Sequence, residues 1–178
     1  MLSPFRMVVS QLHSTRDLQT MSLFIHYNLR NLFYLILKKK IEEVIGRHNT
    51  CALATAAGDF VRCTPIEYHY VEGCFYLFSE GGLKFRALKG NPHVCLAIFA
   101  PYSGFGQLEG LRVTGTAQMA EPWSEEYRKL LDLCGISEEA MKKLAEPMHL
   151  IRVRPAVMEL LCSELKQEGY SPRQRLCL

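Results

Sequence analysis

No two cysteines in this 178-residue chain are spaced C-x-x-C, and the seven present, at 51, 63, 74, 95, 134, 162 and 177, follow no regular interval. An odd, irregular set excludes a disulfide framework, and the lack of paired ligands excludes a structural zinc site; no metal is expected. Most of the seven fall inside apolar runs, as buried free thiols do, which predicts a reducing, cytoplasmic setting. Charge of one sign is also scarce. The formal net charge is +3, and residues 1–40 hold six of the 21 Lys and Arg but one of the 18 acidic residues, so the remainder is slightly acidic. The only basic run, Lys38-Lys39-Lys40, opens a helical pattern, and a nucleic-acid-binding face is excluded. Long apolar runs are missing too: Met21 to Leu37 is broken by His26, Asn28, Arg30 and Asn31, which excludes a membrane span, and no secretory signal has the required order of regions. There is no G-x-x-x-x-G-K-[ST] loop, no G-x-G-x-x-G after a strand and no Ser-His-Asp order.

What is present is a chain with 48% hydrophobic residues, enough for one compact domain. Leu35, Ile36, Ile41, Val44 and Ile45 recur at helical spacing and stop at Gly46, so an amphipathic entry helix is predicted. Residues 1–34 before it read as an N-terminal extension: a flexible arm, a helix packing on a partner, or sequence upstream of the natural start. Residues 35–178 read as the domain proper. From Thr50 the pattern turns to short β-rich runs: Thr50 to Thr55, an alternating Phe60 to Tyr70, and Cys74 to Ser79 after a turn at Glu72-Gly73. Pro65 cannot donate to a ladder, which predicts a bulge or an unpaired stretch there.

A short helix, Leu83 to Lys89, follows Gly81-Gly82, and Asn91-Pro92 stops it. Strands are predicted at His93 to Ala100, Gln107 to Ala120, and Met148 to Cys162 with a bend at Pro155. Between the last two, one helix opens at Pro122 and a second is capped by Ser137. Six strands in hairpins with peripheral helices bury their apolar faces by closing, so the expected class is mainly β (α+β), a six-stranded antiparallel split barrel.

The richest constellation is Arg62-x-Thr64, Phe78-Ser79 and Lys84. Two cations, hydroxyls and a helix start suit a phosphate dianion, and Thr64, Pro65 and Ile66 suit the edge of a flat ring. Turn residues and solvated cations would give the same spacing. The ordered series Thr50-Cys-Ala-Leu-Ala-Thr55, Gly58-Asp59, Arg62-Cys-Thr-Pro-Ile66, Phe75-Tyr-Leu-Phe-Ser79, Lys84, Asn91-Pro92-x-Val94 and Gly110-Leu-x-Val-x-Gly-Thr-Ala117 resembles the pyridoxamine 5′-phosphate oxidase-like, FMN-binding split-barrel family. The resemblance covers about residues 38–165. It implies an FMN site on Arg62, Cys63, Thr64, Pro65, Ile66, Phe78, Ser79 and Lys84, at the interface of a homodimer. It further implies an oxidoreductase acting on a small molecule, with NAD(P)H as a candidate donor.

Departures from the family pattern bear on the substrate. Lys84 is followed by Phe85 rather than a second basic residue, only Gln107 lies near the position of a flavin-contacting Gln, and the C-terminal Trp and Arg of the vitamin-oxidising enzymes have no evident counterpart. No catalytic side chain is assigned. Two alternatives stay open: a non-catalytic flavin-binding protein, and a haem-binding split barrel using His93 or His149 as an axial ligand. His69 reads as structural or surface. Tyr102 and Phe105 would cover a ring or pack on their own barrel. The faces bearing Tyr68, Tyr70, Leu111 and Val113 are expected to serve a two-fold interface or to pack under the Trp123 helix.

Overall fold

A computed structural model describes residues 15–178; the first 14 residues of the predicted extension lie outside the described residues. The chain divides into two units between Lys39 and Lys40, the second of which is the barrel unit. Helix α1 (Thr15–Arg47) begins some twenty positions earlier than the apolar period suggests. Within the barrel unit its Ile41, Val44 and Ile45 are buried. Tyr68 marks its end: the phenol hydroxyl donates to the carbonyls of Ile45 and His48 at 2.7 and 2.8 Å, two groups that a helix C-terminus leaves without partners.

Eight antiparallel strands form one sheet: β1 (Thr50–Ala57), β2 (Phe60–Glu67), β3 (His69–Val71), β4 (Cys74–Ser79), β5 (His93–Phe99), β6 (Glu109–Ala120), β7 (His149–Cys162) and β8 (Arg173–Cys177). Their order is β2-β1-β5-β6-β7-β4-β3, with β8 also on β7. The two ends of that order are consecutive in sequence, so the sheet curls back on itself. This is a split barrel, with eight strands rather than the expected six. The predicted strand Phe60 to Tyr70 breaks at Tyr68, because its first half pairs with β1 and its second with β4. Pro65 does not create a bulge. It sits opposite Ala52 in an unbroken register, tolerated because β2 is the end strand of the sheet and has no second neighbour to which a donor is owed. Among the described residues the one bulge lies between β6 and β7, at Gly115 and Pro155.

Helices α2 (Lys84–Gly90), α3 (Glu125–Leu133) and α4 (Glu138–Lys142) are peripheral. Ser124 and Ser137 cap α3 and α4 by accepting from Tyr127 N at 3.3 Å and Ala140 N at 3.2 Å. Tyr127, Leu130 and Leu131 then build a second core against Tyr76, Ala120 and Leu150 on the other face of the sheet. Leu111, Val113 and Tyr68, expected at a subunit interface, are 2%, 0% and 4% exposed inside this single chain. They serve its own core, since alternate residues of β6 line the barrel interior. Among the described residues no helix is long and apolar enough to cross a membrane, and no group of three metal-binding side chains occurs.

Glu109 ties the end of α1 to the start of β6, receiving Arg47 Nε at 3.4 Å and lying 3.0 Å from His48 Nε2. Burial pushes its carboxyl up, but the hydrogen bonds from Arg47 and His48 together outweigh that and leave it below the usual carboxylate range. A depressed carboxyl contributes stability above its unfolded pKa and loses it as pH falls through the folded value. Glu109→Gln is therefore expected to cost about 1 to 2 kcal/mol at neutral pH. Urea unfolding across pH should show the difference from wild type closing as the medium becomes acid. Deletion of residues 1–34 is expected to leave folding intact and to change solubility or assembly, which circular dichroism and sedimentation would check.

Candidate functional site at the mouth of the barrel

Helix α2 lies against β1 and β2: Arg86 stacks 4.6 Å from the Phe60 ring centre, and Gly90 is close enough to Ala57 that a Cβ added there would sit 3.4 Å from the alanine methyl. The turn into α2 needs glycine, since Gly81 and Gly82 have φ of +133° and +102°. Ser79 closes this turn, its hydroxyl accepting from Gly81 N at 3.2 Å and facing Gly81 O at the same distance. Lys84 donates to that same carbonyl.

Lys84 is 7% exposed, and burial holds its ammonium below the usual lysine range. Among the described residues it has no carboxylate partner. A buried cation without a counter-charge is costly, and a bound anion removes the cost. Helix α2 has only seven residues and no side-chain cap at Leu83. Its macrodipole is correspondingly weak, so anion recognition here rests on side chains more than the sequence pattern implied.

The register places the remaining predicted residues. Arg62, Thr64 and Ile66 lie opposite Thr55, Leu53 and Cys51 and share the face of those buried residues, because directly opposed side chains point to one side. Cys63 and Pro65 point to the other face and are exposed. Phe78 is separated from Ser79 in the same way: its ring packs edge-on at 5.6 Å against Tyr127 in the second core. The structure thus brings Ser79 and Lys84 together and aligns Arg62, Thr64 and Ile66 on one face. The side chains of Cys63, Pro65 and Phe78 face elsewhere.

Two residues at this mouth were not singled out for it. Thr55, opposite Arg62, is 2% exposed, and its hydroxyl has no hydrogen-bond partner. His149 lies opposite Ser79 with its ring 4.8 Å from that of Phe85. Neither is legible without knowing which strands pair. Of the other aromatic and histidine candidates, His69 is half-buried beside Phe78, His93 is exposed, and Tyr102 and Phe105 are exposed and pack on each other at 6.0 Å.

Among the described residues, clefts elsewhere include about 420 Å³ beside Phe99, Arg173 and Arg175, about 580 Å³ beside Glu109 and Ser163, and about 350 Å³ beside His48, Tyr68 and Cys134. None of the three is lined by Arg62, Ser79 or Lys84.

Comparison with known proteins agrees with this architecture. Among solved structures, a putative pyridoxamine 5′-phosphate oxidase from Listeria innocua is 24% identical with TM-score 0.55, over 70% of this chain and 98% of that one. A FAD-binding protein from Mesorhizobium loti is 18% identical with TM-score 0.56, over 68% and 89%. The heme storage protein HutZ from Vibrio cholerae is 20% identical with TM-score 0.57, over 67% and 89%. At these identities the likeness is one of fold. No curated protein matches the sequence. The family profile described as pyridoxamine 5′-phosphate oxidase matches residues 37–162, from the end of α1 through β7, and the chain belongs to that family.

Proposed function

We propose that this chain binds FMN, with the phosphate held by Lys84, Ser79 and Arg62 and the ring system bordered by the Thr64–Ile66 segment of β2. The observation that carries this reading is Lys84, a buried ammonium lacking an acidic partner. Thr55, with an unpartnered hydroxyl opposite Arg62, adds a polar group suited to the same ligand. Arg62 is exposed and has no ion pair among the described residues, which leaves its guanidinium available for a bidentate contact. Bound flavin supplies reversible hydride and electron transfer; the chain supplies binding and orientation. The reaction this supports is FMN-dependent oxidoreduction between NAD(P)H or another donor and a small organic acceptor. The ring lies on an open surface of one chain, so a second copy under two-fold symmetry is the proposed cover, giving a homodimer with two equivalent sites.

The test is mass identification of the cofactor released from purified protein, followed by anaerobic addition of NADPH. FMN that bleaches supports the oxidoreductase, FMN that does not bleach supports a flavin-binding protein without turnover, and absence of FMN overturns the reading. A haem reading is favoured by one observation, the exposed imidazole of His149 beside Phe85. It requires a Soret band in the purified or haem-reconstituted protein.

A further inference from the structure

We propose that His149 is a further cofactor-binding residue, which adds its imidazole to the phosphate end of the site. The inference rests on the FMN reading above. Pairing of β4 with β7 sets His149 directly opposite Ser79, so both side chains leave the sheet on the same side. The imidazole lies 4.8 Å from the Phe85 ring centre at an interplanar angle of 51°. Lys84 Nζ lies 5.2 Å from that same ring centre. Lys84 and His149 therefore share one aromatic neighbour, and Ser79 is tied to both, to His149 by register and to Lys84 through the Gly81 carbonyl.

Among the described residues no carboxylate forms an ion pair with His149. A phosphate between Lys84 and His149 could accept a hydrogen bond from each.

The experiment is flavin-fluorescence titration of the full chain and of His149→Gln, with FMN and with riboflavin. The variant is expected to bind FMN about five- to tenfold more weakly than wild type, the loss of one hydrogen bond to the phosphate. Riboflavin, which has no phosphate, should bind both equally. Unchanged FMN affinity in the variant, or an equal loss for riboflavin, overturns the proposal. Wild-type protein that binds neither flavin overturns the FMN reading and the role of His149 with it.

Discussion

Gly115→Ala is expected to destabilise the barrel by about 3 kcal/mol or more, near the upper end of what overpacking costs. A Cβ at this position would lie 2.3 Å from the carbonyl oxygen of Arg154 and 3.1 Å from Pro155 Cα. Those are backbone atoms of the neighbouring strand, so no side-chain rotation relieves the clash. The site coincides with the only register shift of the sheet: Thr114 faces Val157 while Gly115 faces Pro155, leaving Ala156 as the extra residue on β7. The bulged carbonyl of Ala156 accepts from Leu178 N at 3.0 Å, so displacing the bulge also loosens the C-terminal strand. Domains of this size are stable by about 5 to 15 kcal/mol, so the loss is a large fraction of the total. Urea midpoints measure it. Wild-type stability in Gly115→Ala would show that β7 yields freely at the bulge.

Lys84→Glu is expected to weaken FMN binding by about 2 to 5 kcal/mol, or about thirtyfold to several thousandfold. The variant places a like charge against the phosphate at a position that is 7% exposed, where solvent screens little. Lys84→Met separates a ligand role from a structural one. It keeps the length of the side chain and removes a desolvated cation, so its unfolding midpoint should equal or exceed that of wild type while FMN affinity still falls. Full flavin retention in Lys84→Glu would remove Lys84 from the site. Loss of stability in Lys84→Met would assign the ammonium to holding the Gly81 turn.

Which parts of this molecule were readable in advance follows from the range of the forces involved. The caps and turns were local: Ser137 before Glu138-Glu139, and the glycines ahead of α2, announce themselves within a few residues. The break at Tyr68 was invisible because alternation runs unbroken from Arg62 to Tyr70; it arises from a change of partner strand and from a phenol drawn to the end of α1. Strand β8 was missed because Arg173-Gln174-Arg175 is polar and follows Pro172, and β7 supplies the order that composition lacks. The early start of α1 was missed because polar residues fall on every face and leave no apolar stripe to read. Near the turn into α2, the proximity of Ser79 and Lys84 was legible because five positions separate them and both reach the Gly81 carbonyl. Phe78 was grouped with Ser79 because they are adjacent, yet adjacency in a strand sends side chains to opposite faces. His149 needed the β4–β7 register, which seventy residues of intervening chain conceal.

Strand β7 has one further consequence, which concerns the order of synthesis. It is the sole partner of one whole edge of β6, over twelve paired positions, and it also completes β4 over five. Both of those strands leave the ribosome well before it does. A nascent chain that has reached only Pro147 carries the twelve-residue β6 and the six-residue β4 without the strand that pairs with these edges in the folded chain. Closure must wait for contacts between segments far apart in sequence, which makes it slow. A protein cut short before β7 is therefore a template for pairing with other chains, and truncations from the C-terminal side should accumulate as aggregates rather than as soluble fragments.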